Sequence, residues 1–171
     1  YHPSPEPWFA KKEGGPVIDM GPYYLTALVN LLGPAKKVSG RIIRGVNYRK
    51  IGIGQKKGKK FKVMCPTTYL STIIFKNNTV IRLTLSFDVI AHKRNHIELY
   101  GIKGSLIVPD PNMFGGSVYI CKKLGSLWKE YKTGKMLLGK INIKTQSSRA
   151  NESSTNANYR GIGLSEMAYC I

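Results

Sequence analysis

The stretch from Thr79 to Val89 has the best alternation in the chain. Ile81, Leu83, Leu85, Phe87 and Val89 fall on one side of an extended backbone, and Arg82, Thr84, Ser86 and Asp88 fall on the other. That period of two is the signature of a half-buried β-strand. Just upstream, Tyr69–Phe75 is a second run rich in β-branched and aromatic residues, and the turn-forming pair Asn77-Asn78 separates the two, so together they read as a hairpin. Similar signals recur along the chain. Val38–Tyr48 predicts a strand, Gly52–Lys60 a hairpin loop and Phe61–Cys65 the start of the return. His96–Tyr100 and Ser105–Val108 flank a turn at Gly101–Gly104, and Val118–Cys121 and Leu127–Tyr131 are weaker strands. Strands joined by short turns, with no helix between them, must pair mainly antiparallel.

Ahead of the strands the period is helical. Val17, Met20, Tyr24, Leu28 and Leu31 recur on one face, widened by Ile18, Leu25 and Leu32. Pro16 suits the first helical position and Gly33-Pro34 stops the pattern. The internal Gly21-Pro22 should kink the helix or divide it into two short pieces. Residues 1–15 read as an extended, Pro-rich entry with Trp8 and Phe9 as packing anchors, and Trp128 reads as another anchor. Residues 145–158 are polar and loop-like, and Ile162, Leu164, Met167, Ala168 and Ile171 predict a second helix that the chain's end interrupts. The expected fold is therefore α+β. A large, open, predominantly antiparallel sheet carries helices packed on one face, and its other face meets water or a second subunit.

The composition, 42% hydrophobic and 21% charged, excludes a fully disordered chain. No apolar run approaches the roughly 18 residues that would cross a bilayer, so no membrane partner is expected. Cys65, Cys121 and Cys170 are odd in number and far apart. With only His2, His92 and His96 beside them, they suggest free thiols, a cytoplasmic setting and no zinc site. His92 and His96 flank Lys93-Arg94 and read as a surface turn. The charge balance is unusual: 27 basic residues against 9 acidic ones give a net +18. A basic nucleic-acid-binding module is the reading that this surplus invites. No helix-turn-helix, aromatic-interleaved or zinc-ligand motif accompanies it, and the densest run, Lys56-Lys57-Gly58-Lys59-Lys60, reads as a solvated turn.

Chemistry-bearing residues gather on the helix. Asp19, Tyr23, Thr26 and Asn30 follow one another at helical spacing and draw a narrow polar stripe along an apolar rod. A phenol beside a carboxylate can move a proton to or from an alcohol, with the carboxylate orienting it. An unassisted phenol near pKa 10 is a poor base at neutral pH, so a nearby lysine is needed as well. From pattern alone, an ordinary wet helix face explains the same four residues.

Several segments carry a resemblance. They are His2-Pro3-Ser4-Pro5, the run Glu13-Gly14-Gly15-Pro16-Val17-Ile18-Asp19-Met20-Gly21-Pro22-Tyr23-Tyr24 through Gly33-Pro34, Glu98-Leu99-Tyr100-Gly101-Ile102-Lys103-Gly104-Ser105-Leu106, Asn112-Met113-Phe114-Gly115-Gly116 and Arg160-Gly161-Ile162-Gly163-Leu164. In this order they resemble the C-terminal domain of the Gfo/Idh/MocA oxidoreductases, relatives of glucose–fructose oxidoreductase and inositol dehydrogenase, and the resemblance spans nearly the whole chain. It implies that residues 1–171 form a single substrate-binding and oligomerisation domain. That domain would belong to an enzyme passing a hydride between NAD or NADP and a hydroxyl-bearing carbon of a sugar or cyclitol. By the same resemblance Tyr23 is the acid/base on the reacting hydroxyl and Asp19 its orienting partner, while His2 and Arg160 contact substrate. A homodimer or homotetramer through the sheet face is implied too. The family's nucleotide-binding Rossmann half, with the lysine that would assist Tyr23, has no counterpart here. Gly52-x-Gly54-x-x-x-Gly58 has the wrong spacing and opens no helix. The chain alone is thus expected to hold no cofactor and to be inactive. A non-catalytic relative that keeps the fold as a scaffold remains a further alternative.

Overall fold

The computed structural model describes residues 2–112, 117–132 and 167–168. The chain divides into two compact units, Tyr1–His92 and Lys93–Ile171.

The first unit begins with three short helical pieces, α1 (Glu6–Phe9), α2 (Pro16–Asp19) and α3 (Gly21–Leu32). The division expected at Gly21-Pro22 is present. Met20 closes α2 and precedes α3, and its backbone stays in the right-handed region, so the second piece continues from the first. Gly33 ends α3 with its N–H bonded to Val29 O at 2.8 Å. Five strands follow: β1 (Ala35–Ile43), β2 (Tyr48–Lys50), β3 (Lys60–Lys62), β4 (Thr68–Phe75) and β5 (Val80–Ser86). β1, β4 and β5 form one antiparallel sheet in that order, and β2 and β3 form a separate antiparallel ladder.

The strand register explains the core. Val38, Ile73 and Ile81 stand opposite one another, which puts the odd-numbered residues of β4 and β5 on one face. Ile73 and Phe75 on that face are buried with Leu28 of α3, and Leu25, Leu32, Ile81 and Leu83 pack around them. Each such side chain contributes on the order of 1.5–3 kcal/mol on full burial. Leu25, Leu28 and Leu32 occupy successive turns of one helix face, so the sequence period translates directly into contact. The hairpin tip is clipped to the helix end: Asn77 Nδ2 donates to Leu32 O at 3.0 Å, and Asn77 Oδ1 accepts from Thr79 N at 3.0 Å. Asn78 adopts the positive φ of 65° that this tight turn requires.

Two strands end earlier than their sequence patterns predict, and one carboxylate accounts for both. Asp88 accepts from Thr67 Oγ1 at 2.6 Å and from Thr68 Oγ1 at 2.7 Å, and it pairs with Arg49. Arg49 also donates to Phe87 O at 2.9 Å. Thr67 Oγ1 in turn accepts from Gly45 N at 3.0 Å. The chain bends around this cluster. β5 therefore stops at Ser86, leaving Val89 exposed, and the long strand expected over Val38–Tyr48 breaks after Ile43, so that β2 can pair with β3. Partial burial pushes the Asp88 carboxyl up, but the Thr67, Thr68 and Arg49 donors outweigh burial and hold it below the usual carboxylate range. A depressed carboxyl stabilises the fold above its unfolded-state pKa, and this stabilisation is lost as pH falls through the folded value. Asp88→Asn is therefore expected to cost about 1–3 kcal/mol near neutral pH. The difference from the parent chain should shrink on acidification. Urea titrations at neutral pH and at pH values below the carboxylate range check this, and a constant difference would contradict it.

The second unit contains β6 (Ile97–Gly101), β7 (Gly104–Val108), β8 (Ser117–Cys121) and β9 (Lys129–Lys132), a four-stranded antiparallel meander in chain order. Gly101 pairs with Gly104 across the expected turn. Buried Asp110 accepts from Asn112 N at 2.9 Å, and His96 Nε2 lies 3.4 Å from its other oxygen. The α+β expectation holds. Among the described residues the antiparallel strands fall into three ladders.

Candidate functional site

The first unit's N-terminal segment and α2 enclose a cleft of about 350 Å³. It is lined by Pro7, Trp8, Lys11 and Glu13 from the N-terminal segment and by Gly14, Gly15, Ile18 and Asp19 at and after the turn into α2. Backbone bonds build it. Gly15 N donates to Trp8 O at 2.8 Å, folding the chain back so that the start of α2 meets α1. Gly15 O then accepts from Ile18 N at 3.2 Å and from Asp19 N at 3.1 Å. One residue thus links the Trp8 carbonyl to the backbone of Asp19. Cys65 Sγ, 3.3 Å from Trp8 O, adds a third tie from below. Phe9 anchors α1 from the other side. Its ring meets Phe87 at 4.8 Å and Phe61 at 5.9 Å, and the Arg49 guanidinium sits 4.9 Å above it.

Asp19 is half-buried at the end of α2. Burial pushes its carboxyl up, and the polar edge of the Trp8 ring and the His2 charge offset that only in part. His2 packs edge-on against Trp8, with ring centroids 4.5 Å apart at 68°. Its Nδ1 accepts from Ser4 N at 3.1 Å, which assigns the proton of the neutral ring to Nε2 and makes that atom the donor. The arrangement is a half-buried carboxylate and an indole lining an open cleft, with an imidazole packed against the indole. It can hold a hydroxyl-bearing ring by hydrogen bonds at one edge and apolar contact at a face.

Asp19 lines the cleft, whereas His2 does not and packs against Trp8. Tyr23 lies in the first turn of α3, 43% exposed, and is not among the residues walling the cleft. Thr26 and Asn30, the rest of the polar stripe, are exposed as well. Arg160 lies outside the described residues, as do residues 113–116 and all of the helix expected near the chain's end except Met167 and Ala168, which are helical. Trp8 is the functional candidate that the sequence reading placed among packing anchors. Its indole N–H was the available signal, because a tryptophan in a polar entry segment needs an acceptor once it is half-buried.

No described segment builds a nucleotide site. The Gly52–Gly58 stretch is a compact loop between β2 and β3, closed by Gly58 N to Ile51 O at 2.7 Å and by Lys57 N to Gly54 O at 3.1 Å, and no helix follows it to receive a pyrophosphate. These residues do not fit a nicotinamide dinucleotide. Among the described residues there is no cluster of His, Cys, Asp and Glu that could hold a metal ion, and no helix is long and apolar enough to cross a membrane.

A family model described as the GFO/IDH/MocA C-terminal domain matches residues 1–107. The chain belongs to this family, an oxidoreductase family, of which it carries the C-terminal domain. Among solved structures it is similar to an oxidoreductase from Agrobacterium radiobacter, determined in complex with NAD+, L-tartaric acid and magnesium. The TM-score is 0.51 at 13% identity, over 78% of this chain and 34% of that one. At that identity the likeness shows the fold, and the chain spans about a third of the neighbour's length. No curated protein matches the sequence.

Proposed function

We propose that this chain is the substrate-binding part of an NAD(P)-dependent oxidoreductase acting on a hydroxyl of a sugar or cyclitol. The nucleotide would be held by a separate Rossmann domain. The observation that carries the reading is the cleft itself, about 350 Å³ and lined by Asp19 and Trp8, with His2 packed edge-on against Trp8. Family membership supplies the reaction class, and the neighbour crystallised with NAD+ and a hydroxy acid supports it. In this scheme the chain manages the proton of the reacting hydroxyl. Tyr23, one turn after Asp19, accepts or returns it, Asp19 fixes the orientation of the hydroxyl, and His2 Nε2 donates to a neighbouring substrate oxygen. Arg160 is proposed as a further substrate contact.

Residues 1–171 are proposed to serve the enzyme as one substrate-binding and oligomerisation domain. The face of the β1–β4–β5 sheet turned away from α3 exposes Ile43, Leu70 and Val80, and it is the surface proposed to pair two or four copies. The full-length protein, supplied with NAD+ or NADP+ and a panel of aldoses, cyclitols and hydroxy acids, should reduce the nicotinamide with at least one of them, read by absorbance. Absence of turnover with every member and both nucleotides would overturn the reading.

A further inference from the structure

We propose that the exposed face of the β2–β3 ladder and the loop joining its strands form a docking surface for single-stranded nucleic acid, with lysines meeting phosphates and Tyr48 stacking a base. This goes beyond the oxidoreductase reading and does not depend on it. The sequence sets the charge: from Met20 to Phe87 there are thirteen lysines and arginines and no aspartate or glutamate. The structure sets where part of that charge stands. Tyr48 pairs with Lys62 and Lys50 with Lys60, so these four side chains share one face of the ladder, while Arg49 and Phe61 share the other. Arg49 and Phe61 turn onto the Phe9 ring, whereas Tyr48, Lys50, Lys60 and Lys62 are all exposed. Lys57 and Lys59 continue the patch past the strand ends, on a loop whose backbone is closed on itself. Ile51 N donates to Lys59 O at 3.0 Å and Gly58 N to Ile51 O at 2.7 Å, and Ile51 is buried. These cations therefore stand on a hydrogen-bonded frame. Among the described residues, Lys56 is the lysine of this loop and ladder that makes an ion pair, with Glu6 at 3.3 Å. Lys50 and Lys60 instead face each other directly, an arrangement that costs stability until an anion lies beside them.

The chemistry of the face selects the occupant. Its four paired side chains are one phenol and three ammoniums, with no Leu, Ile, Val or Phe among them. The centre of a protein–protein interface is depleted in lysine, and a surface that lies in a bilayer inserts apolar side chains. A single strand of nucleic acid matches the face in both respects, because its phosphates meet the lysines and every base has a π-face for an aromatic ring. The Lys60 ammonium sits 4.6 Å from the centre of the Tyr48 ring, so cation and ring already share one spot. The two residues come together only across the ladder, which is why the linear sequence shows no interleaving of aromatic and basic residues.

Fluorescence anisotropy of the full-length protein with a labelled oligothymidylate tests this. With Lys50, Lys57, Lys59, Lys60 and Lys62 each meeting one phosphate, log K should fall with log salt at a slope of about −3.5, about a hundredfold loss between roughly 50 and 200 mM. The triple variant Lys50→Gln, Lys60→Gln, Lys62→Gln should flatten that slope by about 2. Tyr48→Thr, which keeps a strand former but no ring, should weaken binding about fivefold or more at unchanged slope, and Tyr48→Phe should bind as the parent does. The triple variant Lys36→Gln, Lys37→Gln, Arg41→Gln on β1 removes the same charge elsewhere and should change affinity and slope far less. Failure of the oligonucleotide to bind would overturn the proposal. So would equal losses in the two triple variants, or equal binding by Tyr48→Thr and Tyr48→Phe. Polyglutamate or phosphatidylserine vesicles competing as well as unlabelled oligothymidylate would overturn it too, in favour of an acidic protein or a membrane.

Discussion

Tyr23→Phe in the full-length oxidoreductase is expected to lower kcat by about 10²–10⁴-fold, the usual loss when a general acid or base is removed. The substitution deletes one oxygen from a side chain that is 43% exposed on the first turn of α3. Exposed substitutions of this kind usually change stability by no more than about 0.5 kcal/mol, so a large rate effect would report on chemistry and not on folding. The comparison with Asp19→Asn is informative. If Tyr23 accepts the proton and Asp19 orients the hydroxyl, both variants lose kcat, and together they lose less than the product of their separate effects. Steady-state rates of the two single variants and the double variant measure this. An undiminished kcat in Tyr23→Phe would remove the phenol from the mechanism and leave Asp19, which lines the cleft, as the proton-handling group.

Gly15→Ala is expected to destabilise the fold by about 2–4 kcal/mol, a substantial share of the 5–15 kcal/mol typical of a domain. Gly15 has φ of 103°, and a Cβ there would lie 2.6 Å from Pro66 O, inside any tolerable contact. Both the conformation and the space forbid a side chain, and the obstacle is backbone, which yields less readily than a flexible side chain. Gly33 is the control. Its φ is 84°, yet nothing lies within 4 Å of its Cβ position, so Gly33→Ala should cost only the conformational strain, about 1–3 kcal/mol, with no steric clash added. In thermal melts the first variant should fall by about 5–15 °C and the second by a few degrees. Equal melting temperatures for the two would show that the contact with Pro66 relaxes freely. Since Gly15 also links Trp8 to Asp19, the alanine variant should lose whatever ligand binding the parent cleft possesses.

Much of this architecture was legible because local pattern and tertiary structure agree where contacts are short in sequence. The hairpin around Asn77-Asn78, the helix from Gly21 to Leu32 and the turn at Gly101–Gly104 were all readable from period and turn chemistry. What escaped depends on pairs far apart in the chain. The breaks after Ile43 and Ser86 follow from Asp88 reaching Arg49, Thr67 and Thr68, and alternation says nothing about which carboxylate will do so. In the site, the motif marked Asp19, and the resemblance marked His2. Their convergence on Trp8 requires the backbone reversal at Gly15, whose outcome no periodicity encodes. The polar stripe was real as a spacing, but Tyr23, Thr26 and Asn30 lie on the exposed side of α3, and Asp19 alone turns into the cleft.

β1 lies at the edge of its sheet among the described residues, is exposed along all nine positions, and leaves Val38 and Ile42 uncovered on the helix-side face. An open rim of that length, with unspent amide and carbonyl groups, invites annealing with any other extended chain. Lys36, Lys37 and Arg41 stand along it and Arg44 follows at its end, so two rims brought together would meet with like charge. Part of the chain's cationic surplus therefore stands where it opposes edge-to-edge annealing of two copies, with no anionic ligand involved.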